Sequence, residues 1–260
     1  MLLNSVILVL REVLEAAVLV SVLLALSRSL GQRMGWIGWA MPMALLGSLW
    51  FAGSMDTLTD ALDGAGQEVA NATLQVLVFV CAVAVIFIEG RWQASLWPAM
   101  SALMLVAVTL AFIREGSEIW IYVSGFAAAP DLRDAVLAGS VIGAGIGVSL
   151  GVLLYSALMA IRPDWRRATC IVLLALVGAG MVMQASMLLE QVDWLEAGRP
   201  MWDSSYLVSE ASLTGELLYA VVGYEATPSK VQVVLYFASL MTAAIACFFS
   251  RLLGIQGSAN

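Results

Sequence analysis

Long apolar runs alternate along the chain with short polar breaks. The runs cover about 3–27, 35–53, 70–89, 98–127, 134–160, 168–189 and 230–252. Each is close to the roughly 20 residues that a helix needs to cross the hydrocarbon core of a bilayer. Glycine, proline or charged residues mark the breaks between them. The pattern predicts an all-α integral membrane protein of about seven transmembrane helices. These helices and their connectors use up the 260 residues, so 1–260 reads as a single transmembrane domain. The first run has no basic segment before it and carries Arg11-Glu12. It reads as a retained helix rather than a cleaved leader.

Composition agrees with lipid as the solvent. The chain is 62% hydrophobic and only 12% charged, against roughly 25% charged in a soluble domain. The net charge of -7 argues against a nucleic-acid partner, because a phosphate backbone repels an acidic surface. There is no histidine, which excludes histidine metal sites and serine–histidine triads. Cys81, Cys170 and Cys247 lie in apolar runs without metal or redox spacing and read as packing residues.

Charge placement predicts orientation. With the N-terminus outside, Arg28, Arg33, Arg91, Arg162, Arg166, Arg167 and Arg251 fall on the inner side, and Arg133, Arg199 and Lys230 on the outer. The positive-inside rule favours N-out and C-in. Most of the acids, 13 of 19, fall in the outer connectors, where they would concentrate cations. The outer loop 190–229 is long for a bundle. Its apolar stretch Leu217–Val222 is too short to span and suggests an interfacial or re-entrant turn. Gly139, Gly143, Gly145, Gly147 and Gly151 mark the fifth run as a site of close helix approach.

Two motifs carry the chemistry. The first run contains Arg11-Glu12-Val13-Leu14-Glu15, and the fourth contains Arg114-Glu115-Gly116-Ser117-Glu118. Three ionisable residues in one transmembrane turn cost roughly 2.5–3.5 kcal/mol each on insertion scales, so having the motif twice demands a reason. Helical spacing puts Glu12 with Glu15 and Glu115 with Glu118 on one face, and each arginine reaches the second glutamate at i,i+4. If the faces meet, four carboxylates and two guanidiniums sum to -2. Oxygen ligands of this kind suit hard cations such as Ca²⁺, Mg²⁺, Mn²⁺ and Fe³⁺. Glu12, Glu15, Glu115 and Glu118 are therefore the expected ligands, with Arg11 and Arg114 orienting them and balancing their charge. Glu68, Glu190, Asp203 and Glu210 are candidates for the path by which a cation approaches. With alternating topology the motif helices run in opposite directions. Segments 1–90 and 98–190 then read as a 3+3 inverted repeat with the last helix, 230–252, appended. Two alternatives remain open on these residues: a carrier of another hard or divalent cation, and a scaffold whose Arg–Glu pairs only hold helices together.

The sequence resembles the FTR1/EfeU family of high-affinity iron permeases. The two Arg-Glu-x-x-Glu motifs resemble the family's REGLE-like and REGxE elements. Gln67-Glu68 resembles its GQE element, and Gln184–Trp194 is similar to its stretch ending in LQEAG-like sequence. Trp202-Asp203-Ser204-Ser205 with Ser209-Glu210 looks like WDTS…SE, and Gly223-Tyr224 with Pro228-Ser229 looks like GY…PS. Val13 departs from the usual glycine, and Asn71 stands where many members carry an acid. The resemblance implies import of iron as the ferric ion: iron is the cargo, and no permanently bound cofactor is expected. It also implies glutamate ligands and a bacterial inner-membrane location. An extracytoplasmic partner would oxidise or present the iron.

Overall fold

The breaks in the apolar pattern become helix ends. The computed structural model describes all residues except Trp92, Ala128, Ala197, Ala211 and 258–260. Its α-helices are α1 (Leu2–Ser29), α2 (Gly35–Gly53), α3 (Met55–Asp60), α4 (Gly66–Arg91), α5 (Trp97–Ala127), α6 (Pro130–Ala160), α7 (Pro163–Gln191), α8 (Leu213–Val222) and α9 (Lys230–Gly257). Pro130 and Pro163 begin α6 and α7, where a missing N–H costs no helical hydrogen bond. Among the described residues, six helices, α2, α4, α5, α6, α7 and α9, are long and apolar enough to cross a membrane. The 28-residue α1 is equally long but carries Arg11, Glu12 and Glu15 in its middle.

Burial is reversed at the outer surface of the bundle. Leu14, Leu19, Leu23, Leu26, Ile86, Met104 and Leu174 form a close core. Trp50, Val141, Leu153 and Phe248 face outward and are more than half exposed. In water such a surface would aggregate; in lipid it is the solvated face.

The motif helix α1 packs along α6, and glycines set the distance. A Cβ on Gly143 would lie 2.5 Å from the Val6 carbonyl oxygen, and one on Gly147 would lie 2.8 Å from Val13 Cγ1. The bulk of Val13 is thus received by Gly147 rather than forcing the helices apart. Gly145 meets nothing within 4 Å and lies off the seam. Gly143→Ala is expected to destabilise the protein by about 1–3 kcal/mol through overpacking. Gly145→Ala is expected to melt like the wild type. Thermal unfolding in detergent checks both.

The loop before α9 folds back over one end of the bundle. Met201 and Ser204 donate backbone hydrogen bonds to the carbonyls of Pro228 and Ala226, each at 2.9 Å. The short apolar stretch forms α8, capped by the Ser212 hydroxyl, which accepts from Gly215 N–H at 3.0 Å. Gly223 ends α8 with φ +67, the left-handed region. A Cβ there would sit 2.5 Å from Gly180 Cα, so α8 docks directly on the backbone of α7.

Candidate functional site

The two motifs meet at the middle of the bundle, and Arg114 is the hub. Its Nη1 lies 3.4 Å from Glu15 Oε2 on α1, and its Nη2 lies 3.5 Å from Glu118 Oε1 one turn on. It also pairs with its neighbour Glu115. One guanidinium therefore holds carboxylates from both motifs. Glu12, Glu15, Arg114 and Glu115 are all buried, none more than 8% exposed. The Glu118 side chain keeps 30% exposure and stands at the edge. The Glu12 and Glu115 carboxyls come within hydrogen-bonding reach of each other. In each, Oε2 is buried without a hydrogen-bond partner. Two acceptor-only groups meeting in this way call for a proton or a cation between them.

The arginines of the two motifs play different parts. Both reach their i,i+4 glutamate as the spacing predicts: Arg11 Nε to Glu15 Oε1 is 3.4 Å. Arg114 points into the cluster, whereas the Arg11 side chain is 37% exposed and points toward α8. There it lies 3.7 Å from Glu216 Oε2 and 4.0 Å from the centre of the Tyr219 ring, a cation–π contact. Glu15 is thus held from three sides. Arg11 binds one oxygen; Arg114 and the Gln184 amide, which donates at 3.0 Å, share the other.

Among the described residues, no three acidic or cysteine side chains are arranged to hold a metal ion as they stand. Arg114 is paired with three of the clustered carboxylates, Glu15, Glu115 and Glu118.

A model of the iron permease FTR1 family matches residues 2–260, essentially the whole chain. The chain belongs to the iron permease FTR1 family. No curated protein and no solved structure matches it. As a member of a permease family it is a transporter of iron rather than an enzyme. With six membrane-capable helices it is a multi-pass membrane protein.

The four acids suggested for the approach of a cation to this permease have different settings. Glu210 lines a cavity of about 300 Å³ with Arg11, Met187, Glu216, Tyr219 and Glu225, and it accepts from Ala226 N–H at 2.7 Å. Glu68, at the start of α4, turns one oxygen into the protein, where it has no partner. Glu190 accepts from the Ser229 hydroxyl at 2.5 Å and from Gln232 Nε2 at 2.8 Å, fastening α7 to the start of α9. Asp203 accepts from Ser205 N–H and hydroxyl in a local turn. Those bonds hold its carboxyl below the usual range.

The motif pattern did not point to Gln184, Glu216, Tyr219 or Glu225. Gln184 is polar in the middle of an apolar run, which is a readable signal. The other three belong to α8 and its exit, and nothing local in the sequence says that α8 docks on Arg11.

Proposed function

We propose that the chain imports iron as the ferric ion, through the carboxylates of Glu12, Glu15, Glu115 and Glu118. The observation that carries this reading is the sharing of Arg114 between Glu15 of one motif and Glu115 and Glu118 of the other. A compact trivalent cation satisfies clustered carboxylates better than a monovalent, delocalised guanidinium. An arriving ion therefore displaces Arg114. When the ion leaves, Arg114 returns, so release never strands four bare carboxylates in a low dielectric. Arg11 acts the same way nearer the surface, exchanging between Glu15 and Glu216. Iron is the cargo, and the cycle requires no resident cofactor.

In this reading seven helices cross the membrane, α1 among them, with the N-terminus outside and the C-terminus inside. The helix pairings support an inverted repeat of α1, α2 and α4 with α5, α6 and α7. Exchanging the triplets turns the α1–α6 contact into α5–α2 and the α4–α5 contact into α7–α1, and all four contacts exist. Helix α9 touches α4 and α7 alike. The motifs then lie at the repeat interface, where transporters of this build hold their cargo. The membrane is the bacterial inner membrane. An extracytoplasmic protein that oxidises or presents iron would meet the outer loop 190–229.

The cavity at Glu210, Glu216 and Glu225 is the outer vestibule of this path, and Glu68 supplies a further carboxylate for the approach. Burial and the neighbouring Glu210 charge push the Glu225 carboxyl up to about 7. The vestibule therefore gains negative charge as pH rises through that value and loses it below. Uptake from dilute, chelator-buffered iron is expected to fall as external pH drops from 8 to 6. Glu225→Gln should flatten that fall; equal slopes in both proteins would exclude Glu225 from the path.

The decisive experiment is radiolabelled iron uptake into proteoliposomes. It compares wild type with Glu12→Gln/Glu115→Gln at matched abundance, and with excess Mn²⁺ as competitor. The expected result is loss of uptake in the variant and little competition by Mn²⁺. Equal uptake in both proteins would favour Arg–Glu pairs that only hold helices, and strong competition would favour a broader divalent carrier.

A further inference from the structure

One face of α4 carries a line of oxygens that no hydrogen bond explains. Glu68, Asn71 and Gln75 stand at i, i+3 and i+7, so they share a helix face. Each has a buried side-chain oxygen without a partner: Glu68 Oε2, Asn71 Oδ1 and Gln75 Oε1. Asn71 is 3% exposed and Gln75 2%, so water does not reach them from outside. A buried acceptor left unsatisfied carries its full desolvation cost. Three on one helix face point to a ligand rather than to chance.

The hydrogen bonds around Gln75 fix which of its ends is free. An ionised Glu15 can only accept, so Gln184 must present its amide N–H₂ to Glu15 Oε2. The Gln184 oxygen then accepts from Gln75 Nε2 at 2.6 Å. Gln75 is left with its carbonyl oxygen unused. Gln75 lines a narrow internal void with Arg114 and Glu115, and the void has no room for a water molecule. Glu115 Oε2 is unpartnered as well. Gln75 and Glu115, each with an unpartnered buried oxygen, thus line the same narrow void as the guanidinium that a cation would displace.

We propose that Gln75 is a further ligand of the buried cation site, supplying a neutral carbonyl oxygen, and that Asn71 holds the cation one turn earlier on the same face. The inference rests on the reading of the glutamate cluster as a cation site. Gln184 positions Gln75 and does not itself touch the cation. Neutral ligands have a clear use here. A site built only from carboxylates would hold a trivalent ion too tightly to release it, and affinity follows the charge count of the ligands. A carbonyl completes the coordination without adding charge.

Terbium(III), a hard trivalent ion that takes oxygen ligands, tests this without transport. Purified full-length protein in detergent is titrated with Tb³⁺. Luminescence lifetimes in H₂O and D₂O give the number of waters on the bound ion. Gln75→Met keeps the length of the side chain and removes the oxygen. It is expected to weaken binding about 10-fold or more and to add a water to the ion. Gln75→Glu keeps the oxygen and should bind at least as tightly as wild type with no added water. Asn71→Leu should weaken binding less and leave the water count unchanged. A merely structural Gln75 would give wild-type lifetimes in Gln75→Met, or a Gln75→Glu variant as weak as Gln75→Met, and either result overturns the proposal. If Glu115→Gln binds Tb³⁺ as the wild type does, the cluster itself is not the site, and both readings fall together.

Discussion

Glu15→Gln is expected to abolish iron uptake in a protein that still folds. Glutamine keeps the shape of the side chain and an oxygen for Arg11 or Arg114, but it removes the charge. Glu15 is the one acid that touches the other motif's arginine, its own arginine and an amide of a third helix. Losing a partner in the outer shell of a metal site already costs 10–100-fold in affinity or activity. Losing a charged ligand at the centre should cost about 100-fold or more. The geometry also ranks the four glutamates, which the repeated motif alone treats as equals. Glu15 and Glu115 are nearly inaccessible, whereas Glu118 keeps 30% side-chain exposure and a single contact with Arg114. Glu118→Gln should therefore lose less uptake than Glu15→Gln. Initial rates across iron concentrations, at matched membrane abundance, give the comparison. An equal loss at both positions would mean that the edge of the cluster closes fully during transport. Uptake preserved in Glu15→Gln would remove Glu15 from the path.

The cluster itself was legible because helical spacing is a strong rule. Arg11 reaches Glu15 and Arg114 reaches Glu118, as i,i+4 neighbours must. What spacing cannot give is the rotation of each helix about its axis. The α1 seam with α6 at Gly143 and Gly147 sets one rotation, and these contacts join residues more than 130 positions apart. As a result Arg114 turns inward and Arg11 outward, although the two motifs look alike. The long apolar helices were equally readable, since lipid leaves no other way to satisfy the backbone. Helix α8 was readable only as a short apolar stretch. Its placement over Arg11 depends on Gly223 meeting Gly180 and on loop bonds to Ala226 and Pro228. Gln75 and Gln184 carry no charge, so charge patterning does not single them out. A neutral amide in a transmembrane run is a weaker signal, yet both side chains are almost fully buried.

Arg114→Leu should destabilise the fold more than any other substitution in the cluster. Leucine fills much of the space, so the cost is electrostatic rather than a cavity. It leaves Glu15, Glu115 and Glu118 without the cation they share. Removing one partner of a buried ion pair typically costs 3–5 kcal/mol, because the remaining charge stays buried and uncompensated. Here three carboxylates lose the same partner, so a loss of about 3–5 kcal/mol is a fair lower range. Thermal unfolding in detergent measures it. Two further variants separate charge from packing. Arg114→Lys keeps the charge but cannot bridge several carboxylates with one planar group, so it should recover only part of the loss. Arg114→Leu/Glu115→Gln removes a positive and a negative charge together and should be more stable than Arg114→Leu alone. Added Fe³⁺ or Tb³⁺ should also restore stability in Arg114→Leu, since a ligand that binds only the folded state stabilises by mass action, about 2.7 kcal/mol at 100 times its Kd. The wild type should gain less, because its arginine competes with the ion. Equal gains in both proteins would mean that cation and guanidinium occupy different places, and the exchange of one for the other would no longer explain release.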